Sequence, residues 1–220
     1  MSAQLSLQPT PKIECSPEEW QARVDLACCY RVVAQMGWHL SIISHISMRV
    51  PGPEVHFLLN PFGLMYHEIT ASNLLKVDLD GNKVNPSPHP VHTAAFVVHS
   101  SVHRVREDVK CVIHTHSRAG VAVACQEQGL LPLNLESMAM SDKIAYYDVE
   151  GMANDVDECA HIAQARGDKK IMILRNHGLM TQARAGVGNA DHGAVRRRQA
   201  AHSAPGSDPQ DRGPNDADDG

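Results

Sequence analysis

At 220 residues the chain has the length of one domain, with enough sequence to bury a proper core. With 43% hydrophobic residues, 20% charged residues and a formal net charge of −5, it has neither the basic surface that nucleic acid would require nor a polybasic run for a membrane. Its first residues lack the positive start and apolar stretch of a secretory signal. No apolar run reaches the roughly 18 residues that span a bilayer, so a soluble, cytoplasmic protein is expected.

Residues 1–15 are polar, hold Pro9 and Pro11, and read as a flexible lead-in. The first element opens at Ser16-Pro17-Glu18-Glu19, where a Ser cap, a Pro in the first turn and a Glu three residues after the Ser make a strong helix start. The helix is predicted to stop near Gly37 and to bury a stripe of Trp20, Val24, Ala27 and the segment from Val32 to Met36. Short β segments follow from Ile42 to Asp80: ISHISMRV, VHFLLN, a turn at Asn60-Pro61-Phe62-Gly63, and NLLKVDLDGNKV with Asp80-Gly81 as a hairpin signal. A Pro- and His-rich loop leads into a helix predicted from Thr93 to Arg106, followed by the strand KCVIHTH. Helices are predicted from near Ser117 and over 150–165, and the strand KKIMILRNHG closes a domain spanning 16–181. Residues 182–220 contain no Leu, Ile, Met or aromatic residue. Such a segment cannot bury enough apolar surface to offset its chain entropy, so a disordered or aberrant tail is expected.

The six cysteines, Cys15, Cys28, Cys29, Cys111, Cys125 and Cys159, form no CxxC pair and read as reduced, mostly buried thiols. Fourteen histidines are the unusual count. His114 and His116 are two residues apart on the strand KCVIHTH, which turns both imidazoles to one face and makes a bidentate platform for zinc or a similar metal. Alone, that spacing also fits two strand histidines with ordinary hydrogen bonds. His177, in Asn176-His177-Gly178 directly after the strand Ile171 to Leu174, is placed to complete a ligand set, with Gly178 where the backbone must turn. Three His with an open position describe a catalytic zinc site rather than a structural one. Cys111 faces the other side of its strand and is not counted as a ligand.

These residues together resemble the class II aldolase/adducin superfamily, which includes fuculose-phosphate aldolase, ribulose-phosphate epimerase and the adducin head domain. The family pattern is an RxD helix end, an HxH strand, and an NHG turn about sixty residues later. Arg106-Glu107-Asp108, His114-Thr115-His116 and Asn176-His177-Gly178 match it in order and spacing. NPFGLMYHEIT, KVDLDGN and ISHIS are similar to the adducin-like branch. The resemblance implies a three-layer α/β/α sandwich around a mostly antiparallel sheet. It also implies a divalent metal on His114, His116 and His177, zinc first and Mn, Fe or Co otherwise.

In the aldolases zinc chelates the hydroxy-ketone oxygens of the substrate and stabilises an enediolate, which is Lewis-acid catalysis. The resemblance therefore implies a small hydroxy-carbonyl substrate and lyase, isomerase or decarboxylase chemistry. The family's catalytic Glu falls at Ala95 here, which cannot shuttle a proton, so the acid/base residue stays unassigned. The phosphate-pocket positions correspond loosely to Ser47, Thr70 and Ser72, where turn and cap hydrogen bonds are an equal alternative, and His45 stands where the aldolases have an Asn. Glu68 is read as a helix-capping or packing residue and Glu107 as a solvated helix end. Family members also form homo-oligomers, often tetramers, through helices beyond the NHG turn. The alternatives are an adducin-like interaction module, for which actin would be the partner, and an inactive family member truncated at its C-terminus.

Overall fold

The computed structural model describes residues 13–149, 151 and 158–184. All of them fall in the first of two units into which the chain divides, Met1–Ala185. The segments 1–12 and 185–220, and with them most of the expected lead-in and tail, lie outside the described residues. Helix α1 (Pro17–Gln35) begins as its sequence requires, with the Ser16 Oγ accepting the Glu19 N–H at 3.2 Å and Pro17 in the first turn.

The buried face of α1 keeps Ala27 and Val33 of the predicted stripe but departs from the rest of it. Ala22, Leu26, Tyr30 and Val33 are buried beside Glu19 and Arg23, whereas Trp20, Val32 and Met36 are 43%, 54% and 52% exposed. Polar anchors set the helix's rotation. Glu19 accepts from Arg23 Nε at 2.9 Å and from Lys76 Nζ at 2.8 Å, and the Tyr30 hydroxyl accepts the Ile46 N–H at 2.8 Å. An apolar stripe counted along the sequence passes over these charged and hydroxylated side chains, because their partners come from distant strands.

The remaining elements are β1 (His45–Arg49), β2 (Phe57–Leu59), β3 (Leu75–Val77), α2 (Thr93–His103), β4 (Val109–Thr115), α3 (Arg118–Ala124), α4 (Leu135–Met140), β5 (Ile144–Asp148), α5 (Glu158–Arg166), β6 (Ile171–Arg175) and β7 (Gly178–Arg184). The strands form one sheet in the order β3-β2-β1-β4-β7-β6-β5. Every neighbouring pair is antiparallel except β5 with β6. Period-two alternation sorts the two faces. Val112, Met172, Leu174 and Met180 pack with Val97, Val98 and Ile162 of α2 and α5. Cys111 and Ile113 pack with Ala22 and Leu26 of α1 on the other face, where Ile173 and Leu179 meet Ala124 of α3. The result is the expected three-layer α/β/α sandwich with a largely antiparallel sheet.

Three elements are absent from the sequence-based assignment: α4, which buries no residue, β5, and the second half of the β6–β7 hairpin. Strand β7 continues to Arg184, past the Thr181 boundary that composition suggested, because its Gln182 side chain hydrogen-bonds Lys169 O and Arg166 although the strand end is polar. Helix α5 begins at Glu158; residue 150 and residues 152–157, the start of the helix predicted over 150–165, lie outside the described residues. At the Asp80-Gly81 turn, Gly81 takes φ +86° while Asp78 Oδ1 accepts the Asp80 and Asn82 N–H groups. No helix among the described residues is long and apolar enough to cross a membrane.

Candidate metal centre

Strand pairing brings the three motif histidines together. In the β6–β7 hairpin Leu174 pairs with Gly178, and β7 pairs with β4 so that Leu179 lies opposite Thr115 and Met180 opposite His114. The hairpin turn, Asn176-His177, therefore lies beside the end of β4 and the residue that follows it, His116. The His114 Nε2 is 2.8 Å from His116 Nε2 and 3.1 Å from His177 Nε2. Ring centroids are 4.7 Å apart for His114–His116, 5.0 Å for His114–His177 and 4.7 Å for His116–His177.

The donor set suits a metal ion. Nitrogens bound at 2.0–2.1 Å to a tetrahedral ion are about 3.3 Å apart, close to the separations seen. His114 Nδ1 lies 3.0 Å from the Leu179 carbonyl oxygen, which can only accept, so the ring's proton is on Nδ1 and its Nε2 carries a lone pair. Burial, followed by the neighbouring His116 and His177, holds His114 well below the usual histidine range. Burial and then His177 lower His116 to about 4, and burial lowers His177. The rings are therefore neutral at pH 7, the form in which imidazole binds metals.

The glycine of the NHG turn has a different role from the one the sequence suggests. The left-handed conformation is taken by Asn176, at φ +56°. Gly178 is needed for close approach: a Cβ there would lie 2.7 Å from the Thr115 carbonyl oxygen, 3.2 Å from His116 Cδ2 and 3.4 Å from His114 Cε1. Only hydrogen fits between the hairpin and the end of β4.

The weaker candidates are placed elsewhere. Ser47 is fully buried, with its Oγ 2.5 Å from His99 Nδ1 and 2.8 Å from His103 Nε2, which closes it to a substrate arriving from solvent. The Thr70 and Ser72 hydroxyls are 3.2 Å apart, and Thr70 Oγ1 accepts the Asn73 N–H, so both belong to the turn before β3. Glu68 does cap, accepting the Met65 N–H at 2.7 Å. Glu107 is exposed and Ala95 is fully buried. Cys111 packs on the α1 side of the sheet, away from the His114 face.

Behind the three histidines lies a buried cluster whose members the sequence offers only as single histidines able to titrate, such as His99 and His103, without the contacts that join them. His45 is the β1 partner of His114, and its ring lies 4.7 Å from that of His114. His45 Nδ1 is 2.7 Å from His99 Nε2. The signal was present as two periodicities, His45 and Ser47 on one face of β1 and His99 and His103 one turn apart on α2. Beside His177, a cavity of about 250 Å³ is lined by Asp148, Val149, Gly151, Arg175 and Asn176. Arg175 lies over the Tyr146 ring at 4.7 Å and donates to the Glu127 carbonyl at 3.0 Å.

Residues 24–192 match the sequence model of the Class II Aldolase and Adducin N-terminal domain. The chain belongs to this family. A Pseudomonas aeruginosa protein that carries a provisional aldolase class 2 name is 50% identical over 181 residues, covering 82% of this chain and 70% of that one. Mouse alpha-adducin is 43% identical over 162 residues, 72% of this chain but 22% of the adducin. Among solved structures, an aldolase II superfamily protein from Pseudomonas syringae superposes with TM-score 0.75 at 45% identity, covering 86% of this chain and 79% of that one. This class II aldolase/adducin domain is thus similar in sequence to aldolase-named bacterial proteins and to a minor part of the length of an adducin.

Proposed function

We propose that the domain holds one divalent cation, zinc in the first instance, on His114, His116 and His177, and acts as a metal-dependent lyase on a small hydroxy-carbonyl compound. The convergence of three neutral imidazoles from two separate chain segments supports this most directly. The solved L-fuculose 1-phosphate aldolase of Glaciozyma antarctica, at 28% identity and TM-score 0.67, supports the reaction class. A bound divalent ion would supply Lewis-acid polarisation of the substrate's hydroxyl and carbonyl oxygens. The chain's own residues would do the rest. Leu179 O orients His114, burial keeps its ring neutral, and the cavity lined in part by His177 would be the place for a small polar substrate.

Ala95 supplies no proton, and among the described residues no carboxylate belongs to the three-histidine group. The acid/base step therefore falls to a group outside the motif residues. A homo-oligomer located in the cytoplasm belongs to the same proposal. An adducin-like, non-catalytic role is disfavoured because it gives no physical reason for three neutral rings to face one another.

Metal analysis of the purified protein, alongside His114→Ala, tests this function. About one Zn, Mn, Fe or Co per chain is expected in the wild type, with loss of metal but retained circular dichroism in the variant. Less than about 0.2 ion per wild-type chain after gentle purification would overturn it.

A further inference from the structure

Behind the ligand histidines, four buried side chains form one continuous hydrogen-bonded line: His103 Nε2 to Ser47 Oγ at 2.8 Å, Ser47 Oγ to His99 Nδ1 at 2.5 Å, and His99 Nε2 to His45 Nδ1 at 2.7 Å. His45, Ser47, His99 and His103 are each at most 3% exposed. Phe57 stacks on His103 at 4.8 Å and closes the far end. The near end is the His45 ring, packed against His114 and 5.7 Å from His92.

Counting protons leaves this line few arrangements. A neutral imidazole carries one N–H and a serine one O–H. Ser47 meets two ring nitrogens and can donate to only one of them, so the other must donate to Ser47. If both rings donated to it, the serine proton would be left buried without an acceptor, a costly arrangement. The bonds therefore all run in one sense, either from His103 to His45 or from His45 to His103. The free nitrogen at the far end decides between the two. His103 Nδ1 is buried and has no hydrogen-bond partner among the described residues. Running the chain from His45 would put an orphaned N–H there, and orphaned buried N–H groups are rarer than unused acceptors. Arg49, whose guanidinium reaches the His103 carbonyl oxygen, further disfavours added positive charge on that ring.

The geometry points to a chain running from His103 through Ser47 and His99 to His45, which fixes His45 as the Nε2–H tautomer and presents a hydrogen-bond donor beside the ligand histidines. In an imidazole the two nitrogens lie on opposite sides of the ring, so with Nδ1 taken by His99 the Nε2–H points away from the chain. Such a donor suits an acceptor oxygen, a carbonyl or a developing alkoxide, and not an amine or another donor. His99, Ser47 and His103 are positioning residues, and His45 is the group that would touch ligand. The ligand class rests on the proposed metal-dependent function; the tautomer assignment does not.

The decisive experiment is long-range proton–nitrogen NMR of the 15N-histidine-labelled, metal-free protein in EDTA at pH 7.5. His45, His99 and His103 should each carry a single proton, on Nε2. A proton on Nδ1 of any of the three, or a doubly protonated ring, overturns the inference, and no variant has to fold for that result. In Ser47→Ala, His45 should shift to a mixture of tautomers, and Ser47→Thr, which restores a hydroxyl, should return it to one; an unchanged His45 in Ser47→Ala shows that the chain does not set it. For the donor role, glycolate binding to zinc-loaded protein should weaken about ten-fold in His45→Phe and be largely retained in His45→Gln, which keeps an N–H. Equal binding by His45→Phe and wild type rejects that role. Failure of the wild type to take up zinc would count against the metal centre while leaving the tautomer result standing.

Discussion

His114 and His177 are separated by 63 positions in the chain, yet their Nε2 atoms lie 3.1 Å apart. The short distance follows from backbone pairing rather than side-chain reach. Strand β7 runs between β4 and β6, so the β6–β7 turn is held at the end of β4 by both ladders. A group of imidazoles built on paired strands is preorganised, because bringing the rings together needs no further ordering of the backbone.

Gly178 is where that preorganisation can be tested without removing any of the three rings. A methyl group there meets the Thr115 carbonyl oxygen at 2.7 Å, and backbone must move to relieve the contact. Gly178→Ala should destabilise the fold by about 1–3 kcal/mol. It should also weaken zinc binding, since the displaced hairpin carries His177. Unaltered stability and zinc affinity, measured by thermal melts with and without metal, would mean that hairpin and strand tolerate the displacement.

Local signals were legible in the sequence wherever the residues that act together are close in the chain. The Ser16-Pro17 start of α1, the HxH strand and the NHG turn are such signals, and family resemblance supplied the pairing between the last two. The rotation of α1 was not legible, because Glu19 and Arg23 become buried only through Lys76 and Leu74 on the far side of β2. The line from His103 to His45 was hidden for the same reason. Each of its histidines, taken singly, reads as an ordinary core or surface residue, and only the packing of α2 on β1 joins them. Strand β5 and the polar end of β7 depend on neighbours for their hydrogen bonds rather than on their own composition.

The network around Glu19 predicts a non-additive response. Burial pushes its carboxyl pKa up, but hydrogen bonds from Lys76 and Arg23 outweigh that and leave it below the usual value of 4.5. Glu19→Met leaves Arg23 buried and uncompensated, and Arg23→Met leaves Glu19 with Lys76 alone; each should cost about 3 kcal/mol. The double variant should cost clearly less than the sum, because both buried charges leave together. Urea denaturation of the four proteins checks this, and simple additivity would show that the pair is not coupled.

Buried neutral histidines make the metal-free fold acid-sensitive. Burial lowers His99 to about 3, and burial, then His99 and Arg49, takes His103 well below 6.5. In the unfolded chain both titrate near 6.5. Below that pH the unfolded state binds protons that the folded state refuses, so stability is fully present above about pH 6.5 and falls as the pH drops toward 3. Between pH 7.5 and 5.5 these two rings alone are expected to cost about 1–3 kcal/mol, and His114 and His116 add to the loss, read from urea midpoints in EDTA. A midpoint that holds or rises over that interval would show that these rings are already protonated in the fold, or are not buried.

Metal binding to the folded state alone should appear as a thermal shift. A ligand at a hundred times its Kd adds about 2.7 kcal/mol, and each kcal/mol moves Tm by about 2–4 °C in a domain of this size. Saturating zinc should therefore raise Tm by about 5–10 °C over the EDTA-treated protein. His177→Ala removes a half-buried ring of the proposed ligand set without emptying the core, so its melt in EDTA should stay close to wild type while the zinc-induced rise disappears. His56→Ala, which changes a ring outside the cluster paired with Glu54, should keep the full rise. If His177→Ala and wild type shift equally, zinc is binding somewhere other than between the end of β4 and the β6–β7 turn. The three rings would then face one another for a reason unrelated to a cation.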